Sequence, residues 1–335
     1  MNTFLEDILA QPAALRLTLA SMLDENQVAL DRAAGMIGKA PRLVLTSMGS
    51  ALYSLAPMAF ALSRLHPNVH LIETSEQMNM PFVPGTLYVI MSRSGESKEI
   101  AEYAAILRQR GEVLLAITMT PGSTLAKNAS LVVHDPAPYD GFICTKAYTS
   151  LALIGMLIVS RLENNLDLDL VDRLEKVFDW MEGHKQSMLE RMQAIPWLGG
   201  GLTFLSRRAG MGLAQSGALW LEEAARLRAS YSSVDFYMHG PVEQVDRGFR
   251  GVWIDLAPDE ISRAQFRQVA AKGGSLICIG PEAEGPAGFT TPAFDLPEVY
   301  RLLPAAMPVQ MIANQTASVL GLHAGEMRYL NWVVK

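Results

Sequence analysis

Cysteine is nearly absent from this chain. Its 335 residues include only Cys144 and Cys278, which cannot build a disulfide framework, and neither lies in a CxxC metal pattern. Charge is sparse as well, at 19% of residues, with 28 basic against 34 acidic side chains and no long basic run. The clustered lysines and arginines of a nucleic-acid surface are missing, so no nucleic-acid partner is expected. Met1 leads into Asn2, Thr3, Phe4, Leu5, Glu6 and Asp7, without the basic start and cleavage site of a secretory leader. The most apolar stretch, 147–159, contains Tyr148, Thr149 and Ser150 and is followed by Arg161 and Glu163. That is too short to span a membrane and reads as a buried helix. Hydrophobic residues are plentiful, at 50%, which supplies a large core and argues against disorder. The expectation is a soluble, cytoplasmic, globular protein of about two domains, with no membrane contact.

Periodicity places helices at the N-terminus, with apolar residues at Phe4, Ile8, Leu15, Leu19 and Met22, and a further helix from Asp24 or Glu25 to Lys39. Short apolar strands then alternate with helices: 42–46, 70–73, 87–91, 113–118 and 131–133 are read as strands, with helices at 51–65 and 98–109 between them. Such alternation predicts an α/β domain with a parallel sheet covered on both faces, ending near Ser160. A charged, periodic stretch, 166–192, reads as a helical linker. After Pro196 the alternation resumes: strands at 202–205, 251–256 and 275–279, helices at 211–228, 261–271 and 299–320. The division expected is 1–40 for N-terminal helices, 41–160 for one doubly wound domain, 161–195 for the linker and 196–335 for a second domain. The similar plan of the halves fits a tandem duplication, on pattern and not on letters.

In an open α/β sheet ligands gather beyond the carboxyl ends of the strands. Three hydroxyl- and glycine-rich loops fall there: Ser47-Met48-Gly49-Ser50, Ser92-Arg93-Ser94-Gly95-Glu96-Ser97 and Pro121-Gly122-Ser123-Thr124. A helix follows each, so free amides and the positive dipole end face the loop. Hydroxyls beside such amides can wrap a phosphate monoester, and Arg93 can add a charge-assisted contact. Serine and threonine are also ordinary N-caps, which accounts for any one of these loops alone. Three serines in 92–97 exceed what one cap needs. The loop has neither the Gly-Lys-Ser ending of a Walker loop nor a GxGxxG fingerprint, so no nucleotide cofactor is expected. The histidines 66, 70, 134, 184 and 323 show no metal-ligand spacing, and the expected cofactor set is none.

The 92–97 loop resembles the Ser-Gln-Ser-Gly-Glu-Thr loop of sugar isomerase (SIS) domains. Residues 121–126 and Thr145-Lys146-Ala147-Tyr148-Thr149 are similar to that domain's next two signatures. In the second half, Ser216-Gly217-Ala218-Leu219-Trp220-Leu221-Glu222-Glu223, followed by His239-Gly240-Pro241, is similar to a Glu-Gly-Ala-Leu-x-Leu-x-Glu and His-Gly-Pro pattern. The template is the isomerase half of glucosamine-6-phosphate synthase. The resemblance implies two SIS domains, a phosphosugar held mainly by the first, and a homodimer sharing its active sites. It places ligand binding on Gly49, Ser50, Ser92, Arg93, Ser94 and Ser97. Cys144 reads as a small packed residue and is also counted among the ligand-binding candidates. Glu223 matches the base that moves a proton between C1 and C2, and His239 the residue that assists ring opening, contributed by the neighbouring subunit.

Bottom-up, a carboxylate can take a proton alpha to a carbonyl and an imidazole can shuttle one near neutral pH. Glu223 also fits a solvated helix position beside Glu222, and His239 a turn before Gly240-Pro241. Two family lysines are replaced, by Trp220 and Trp332, which read as an apolar wall. The glutaminase half of the template has no counterpart in this sequence, so synthesis from glutamine is not expected. An aldose–ketose isomerase, or a deaminase or deglycase of an amino-sugar phosphate, is the expectation. The alternative is a non-catalytic phosphosugar-binding sensor.

Overall fold

The computed structural model describes residues 3–330. Thirteen helices are found among the described residues: α1 (Thr3–Leu9), α2 (Gln11–Leu23), α3 (Gln27–Lys39), α4 (Gly49–Ser63), α5 (Thr74–Gln77), α6 (Lys98–Gln109), α7 (Thr124–Asn128), α8 (Lys146–Leu162), α9 (Leu168–Gln193), α10 (Met211–Ala225), α11 (Val234–Tyr237), α12 (Glu260–Ala270) and α13 (Leu302–Val319). The strands are β1 (Arg42–Ser47), β2 (Val69–Glu73), β3 (Thr86–Ser92), β4 (Val113–Thr118), β5 (Leu131–His134), β6 (Leu202–Ser206), β7 (Ala229–Ser233), β8 (Arg250–Ile254), β9 (Ser275–Gly280) and β10 (Gly288–Thr290).

They form two five-stranded sheets, in the orders β2-β1-β3-β4-β5 and β10-β9-β8-β6-β7, and every pairing is parallel. The α/β class with parallel sheets flanked by helices is therefore as expected. The central strand β3 is buried at all seven positions, the pattern of a strand covered on both faces. The apolar stretch around 147–159 is α8, buried from Lys146 to Ser160. No helix among the described residues is long and apolar enough to cross a membrane.

The chain divides into two compact units. One holds Ala13–Asp140 and Lys146–Asp172, with the first sheet. The other holds Met1–Pro12, Gly141–Thr145 and Arg173–Glu326, with the second. In the first, Gly155 of α8 sits on Met58 of α4, where a Cβ would lie 3.2 Å from the Met58 Cβ. In the second, a Cβ on Gly217 of α10 would meet the Phe204 ring at 2.6 Å and Val309 of α13 at 2.9 Å. Close packing therefore excludes a side chain at Gly217 and leaves only a tight fit for one at Gly155. The N-terminal apolar stripe, Phe4, Ile8, Leu15, Leu19 and Met22, is buried within the chain itself.

The structure corrects the sequence in the second half. The helix expected over 211–228 stops at Ala225, because Arg226 turns left-handed at φ 56°. The following residues become edge strand β7, and a three-residue strand, β10, closes the other edge.

Candidate active site

In the first sheet the chain goes out from β1 to β2 on one side and from β3 to β4 and β5 on the other, so the crossover lies between β1 and β3. The loops leaving these two strands meet there, where an open α/β sheet offers its cleft. Ser47, the last residue of β1, donates its hydroxyl to the Met91 carbonyl of β3. Gly49 opens α4 with φ 57°, and Met48, which has no hydrogen-bonding side chain to offer, stands at the cap position. The first amides of α4 are thus left without a side-chain cap. Ser50 is only 8% exposed and its hydroxyl has no partner among the described residues. A buried hydroxyl without a partner is costly unless a ligand or water meets it.

The loop after β3 is built as a cradle. Ser92 is buried and its Oγ accepts the Gly95 amide at 3.0 Å, while Ser94 Oγ accepts the Glu96 amide at 3.2 Å. Both serines keep their own hydroxyl protons to donate. Ser97 occupies the cap position of α6 with extended backbone, yet its side chain makes no capping bond. A second long helix therefore also begins uncapped. The Arg93 carbonyl accepts from Thr120 Oγ1 at 3.1 Å and Tyr139 Oη at 3.1 Å, which pins the loop from behind. Gly95 has φ 64°, and a Cβ there would lie 2.6 Å from Ser123 Cβ. Only glycine fits this turn.

The third hydroxyl-rich loop behaves differently. Ser123 Oγ accepts the Ala126 amide and caps α7, and Glu96 accepts from the Thr124 amide at 2.6 Å and from Thr124 Oγ1 at 2.9 Å. Here the capping account suffices, and the loop serves as a buttress for 92–97.

Asp140, absent from every sequence motif, and Lys146, of the 145–149 signature, complete this end of the unit. Asp140 is fully buried and accepts the amides of Lys146 at 2.7 Å and Ala147 at 3.1 Å, capping α8. The same carboxylate lies 3.9 Å from Arg93 Nη1 and 3.7 Å from Lys146 Nζ. Arg93 is thus held by a carboxylate while standing in the serine loop.

The other candidates lie in the second unit. Glu223, in the last turn of α10, is half-buried, whereas its neighbour Glu222 is exposed, so the solvated-face account suits Glu222 alone. His239 is exposed in the turn after α11, followed by Gly240 at φ 149° and Pro241. Trp220 is fully buried, and its indole Nε1 donates to the Cys144 carbonyl at 2.8 Å. It is a clamp on the 141–145 loop, not the ligand-facing apolar wall expected. Cys144 is half-buried in that loop. Trp332 lies outside the described residues.

Comparison with known proteins gives a coherent picture. Residues 36–160 match the SIS domain family. Over 98% of its length the chain is 26% identical to glutamine–fructose-6-phosphate aminotransferase (isomerizing) of Corynebacterium glutamicum, covering 57% of that protein. The chain thus spans a little over half the length of the curated relatives it matches. Among solved structures, glucosamine-6-phosphate deaminase of Thermotoga maritima superposes with a TM-score of 0.81 at 17% identity, covering 99% of both chains. Tagatose-6-phosphate ketose/aldose isomerase of Escherichia coli gives 0.78 at 19% identity, covering 98% of this chain and 96% of that one. At these identities the structural likeness shows the fold.

Proposed function

We propose that the chain is an enzyme of sugar phosphates, binding a sugar 6-phosphate at the β1/β3 crossover and moving a proton between its C1 and C2. The observation that carries the phosphate half is the pair of uncapped helix N-termini, α4 and α6, beside Ser50, Ser92, Ser94 and Ser97, with the Ser50 hydroxyl buried and partnerless. Amides with no internal acceptor, hydroxyls with protons to donate and a positive dipole end suit a dianion and little else. The relatives that are named for fructose, glucosamine and tagatose 6-phosphates support the sugar.

In the proposed reaction Glu223 takes the C2 proton of the open aldose, and the C–H electron pair becomes the C1=C2 bond of an enediol. Returning the proton at C1, with the O2 proton passing to O1, completes a ketose without net change in atoms or electrons. With an amino group on C2, the same proton shift yields a C2 imine that water hydrolyses to the ketose and ammonia, the deaminase form; with a substituted amine on C1, the reverse shift yields a C1 imine that water hydrolyses to the aldose and the amine, the deglycase form. His239 is assigned to ring opening, contributed by the neighbouring subunit of a homodimer, and the enzyme is assigned to the cytoplasm.

The test is a panel of hexose and hexosamine 6-phosphates assayed for ketose formation and ammonia release, with Glu223→Gln beside the wild type. Such a base contributes roughly 10²–10⁴-fold to rate. Glu223→Gln should lose turnover by about that factor and keep its sugar-phosphate affinity. Full turnover in Glu223→Gln overturns the base. Binding of several esters with turnover of none makes the protein a sensor.

A further inference from the structure

The anion cradle has more charge around it than its serine loop supplies. Helices α4 and α8 both start at the carboxyl end of the first sheet: α4 follows β1 directly, and the cap of α8, Asp140, lies beside Arg93 at the end of β3. They run side by side, and Met58 and Gly155 touch, each nine residues from its helix start (58 − 49 and 155 − 146). Lys146, the first residue of α8, is therefore level with Gly49 and Ser50 at the start of α4. Its ammonium, with the side chain 7% exposed, shares the Asp140 carboxylate with Arg93. One buried carboxylate thus gathers the Lys146 and Arg93 cations at the end of the serine loop.

We propose that Lys146 is a second cationic contact for the phosphate ester and that Asp140 is the positioning residue holding Lys146 and Arg93 towards it. This rests on the anion site proposed above. Asp140 places a carboxylate 3.7 Å from the buried Lys146 ammonium before the ligand arrives. Asp140 does so at fixed geometry, since both its oxygens are tied to the α8 amides. The ligand then meets cations already ordered, and little side-chain entropy is lost on binding.

The test is isothermal titration of inorganic phosphate and of glucosamine 6-phosphate into the wild type, Lys146→Met, Asp140→Asn and Asp140→Ser. Lys146→Met should weaken both ligands by about tenfold or more, the usual scale of a hydrogen bond to a charged group. Asp140→Asn and Asp140→Ser should weaken them too, although each removes a negative charge. Serine retains the helix cap, so Asp140→Ser separates loss of fold from loss of positioning. A merely structural role would lower the melting temperature and leave the affinity of the folded chain unchanged. Should Lys146→Met not fold, Lys146→Gln takes its place with the same expectation. A wild type that binds no phosphate ester overturns the anion site and this inference with it. Wild-type binding with a lysine variant within twofold overturns the role of Lys146 alone. Tighter binding by folded Asp140→Asn shows Asp140 to be only a repelling charge and overturns the positioning.

Discussion

The two sheets share one strand plan, and their crossovers end very differently. At β1/β3 the helix after the central strand begins behind Ser97, whose side chain caps nothing. At β6/β8 the corresponding helix, α12, begins behind Asp259, whose carboxylate accepts the Ser262 amide at 2.8 Å in a complete capping box. That carboxylate also holds Arg207 at 2.6 Å and lies 3.8 Å from Arg208. Glu298 accepts the Ala209 amide in the turn before α10. A buried serine ends the first strand in both places and donates to the neighbouring strand's backbone, Ser47 to Met91 and Ser206 to Ile254. The backbone device is the same, and the difference is whether a carboxylate of the chain already caps the helix after the central strand. A helix N-terminus becomes a binding site only where no side chain of the chain itself neutralises it.

The contrast can be broken by moving the carboxylate. Ser97→Asp gives α6 the cap that Asp259 gives α12. It should abolish phosphate-ester binding, a loss of at least about a hundredfold from like-charge repulsion and the lost hydroxyl. The same change should raise stability by up to about 1 kcal/mol through the new cap, so calorimetry and titration should move in opposite directions. Gly95→Ala acts on the cradle's shape, combining a left-handed backbone with a clash on Ser123. We expect it to lose roughly 2–3 kcal/mol in chemical denaturation, with weakened ester binding. Conversely, Asp259→Ser keeps a cap on α12 and removes the carboxylate beside Arg207 and Arg208, with Arg208 still 3.6 Å from Glu298. It should gain weak, millimolar affinity for inorganic phosphate, read by titration in a Ser94→Ala background where the first site is impaired.

Asp259 also sets a pH dependence. The Ser262 amide first, and Arg207 next, hold its carboxyl well down, at about 2. A depressed carboxyl stabilises the fold at pH above its unfolded value near 3.9 and loses that contribution as pH falls towards 2. Asp259→Asn should therefore flatten the acid limb of the stability profile between about pH 4 and pH 2, leaving the neutral range little changed. This is the smallest of the expected effects, because the Asp259 side chain is 45% exposed and solvent screens the pair.

Most of the first unit is legible in the sequence because its strands are continuous apolar runs between hydroxyl and glycine punctuation. Val113–Thr118 and Lys98–Gln109 fall where periodicity puts them. The second unit is harder. Ala229-Ser230-Tyr231-Ser232-Ser233 is an edge strand, partly exposed and polar, so it carries no buried-strand signal. The helix before it ends at an arginine in the left-handed region, where glycine is the usual signal. At the site, the serines announce themselves by number. Asp140 does not, because it follows the proline-rich stretch Asp135-Pro136-Ala137-Pro138-Tyr139 and its partner amides lie six and seven residues on. Its burial and its hold on Arg93 exist only in the folded chain. The Trp220 clamp is hidden likewise, since a buried indole donating to a carbonyl 76 residues away leaves no local pattern.

The central claim is that the first crossover, and not the second, receives the phosphate. A crystal structure of the chain with a bound hexosamine 6-phosphate tests it most directly. The account predicts the phosphorus in front of the α4 and α6 amides, within hydrogen-bond reach of Ser50, Ser94 and Ser97. A phosphate found at the start of α12, with Asp259 displaced and the β1/β3 crossover holding only water, would contradict it.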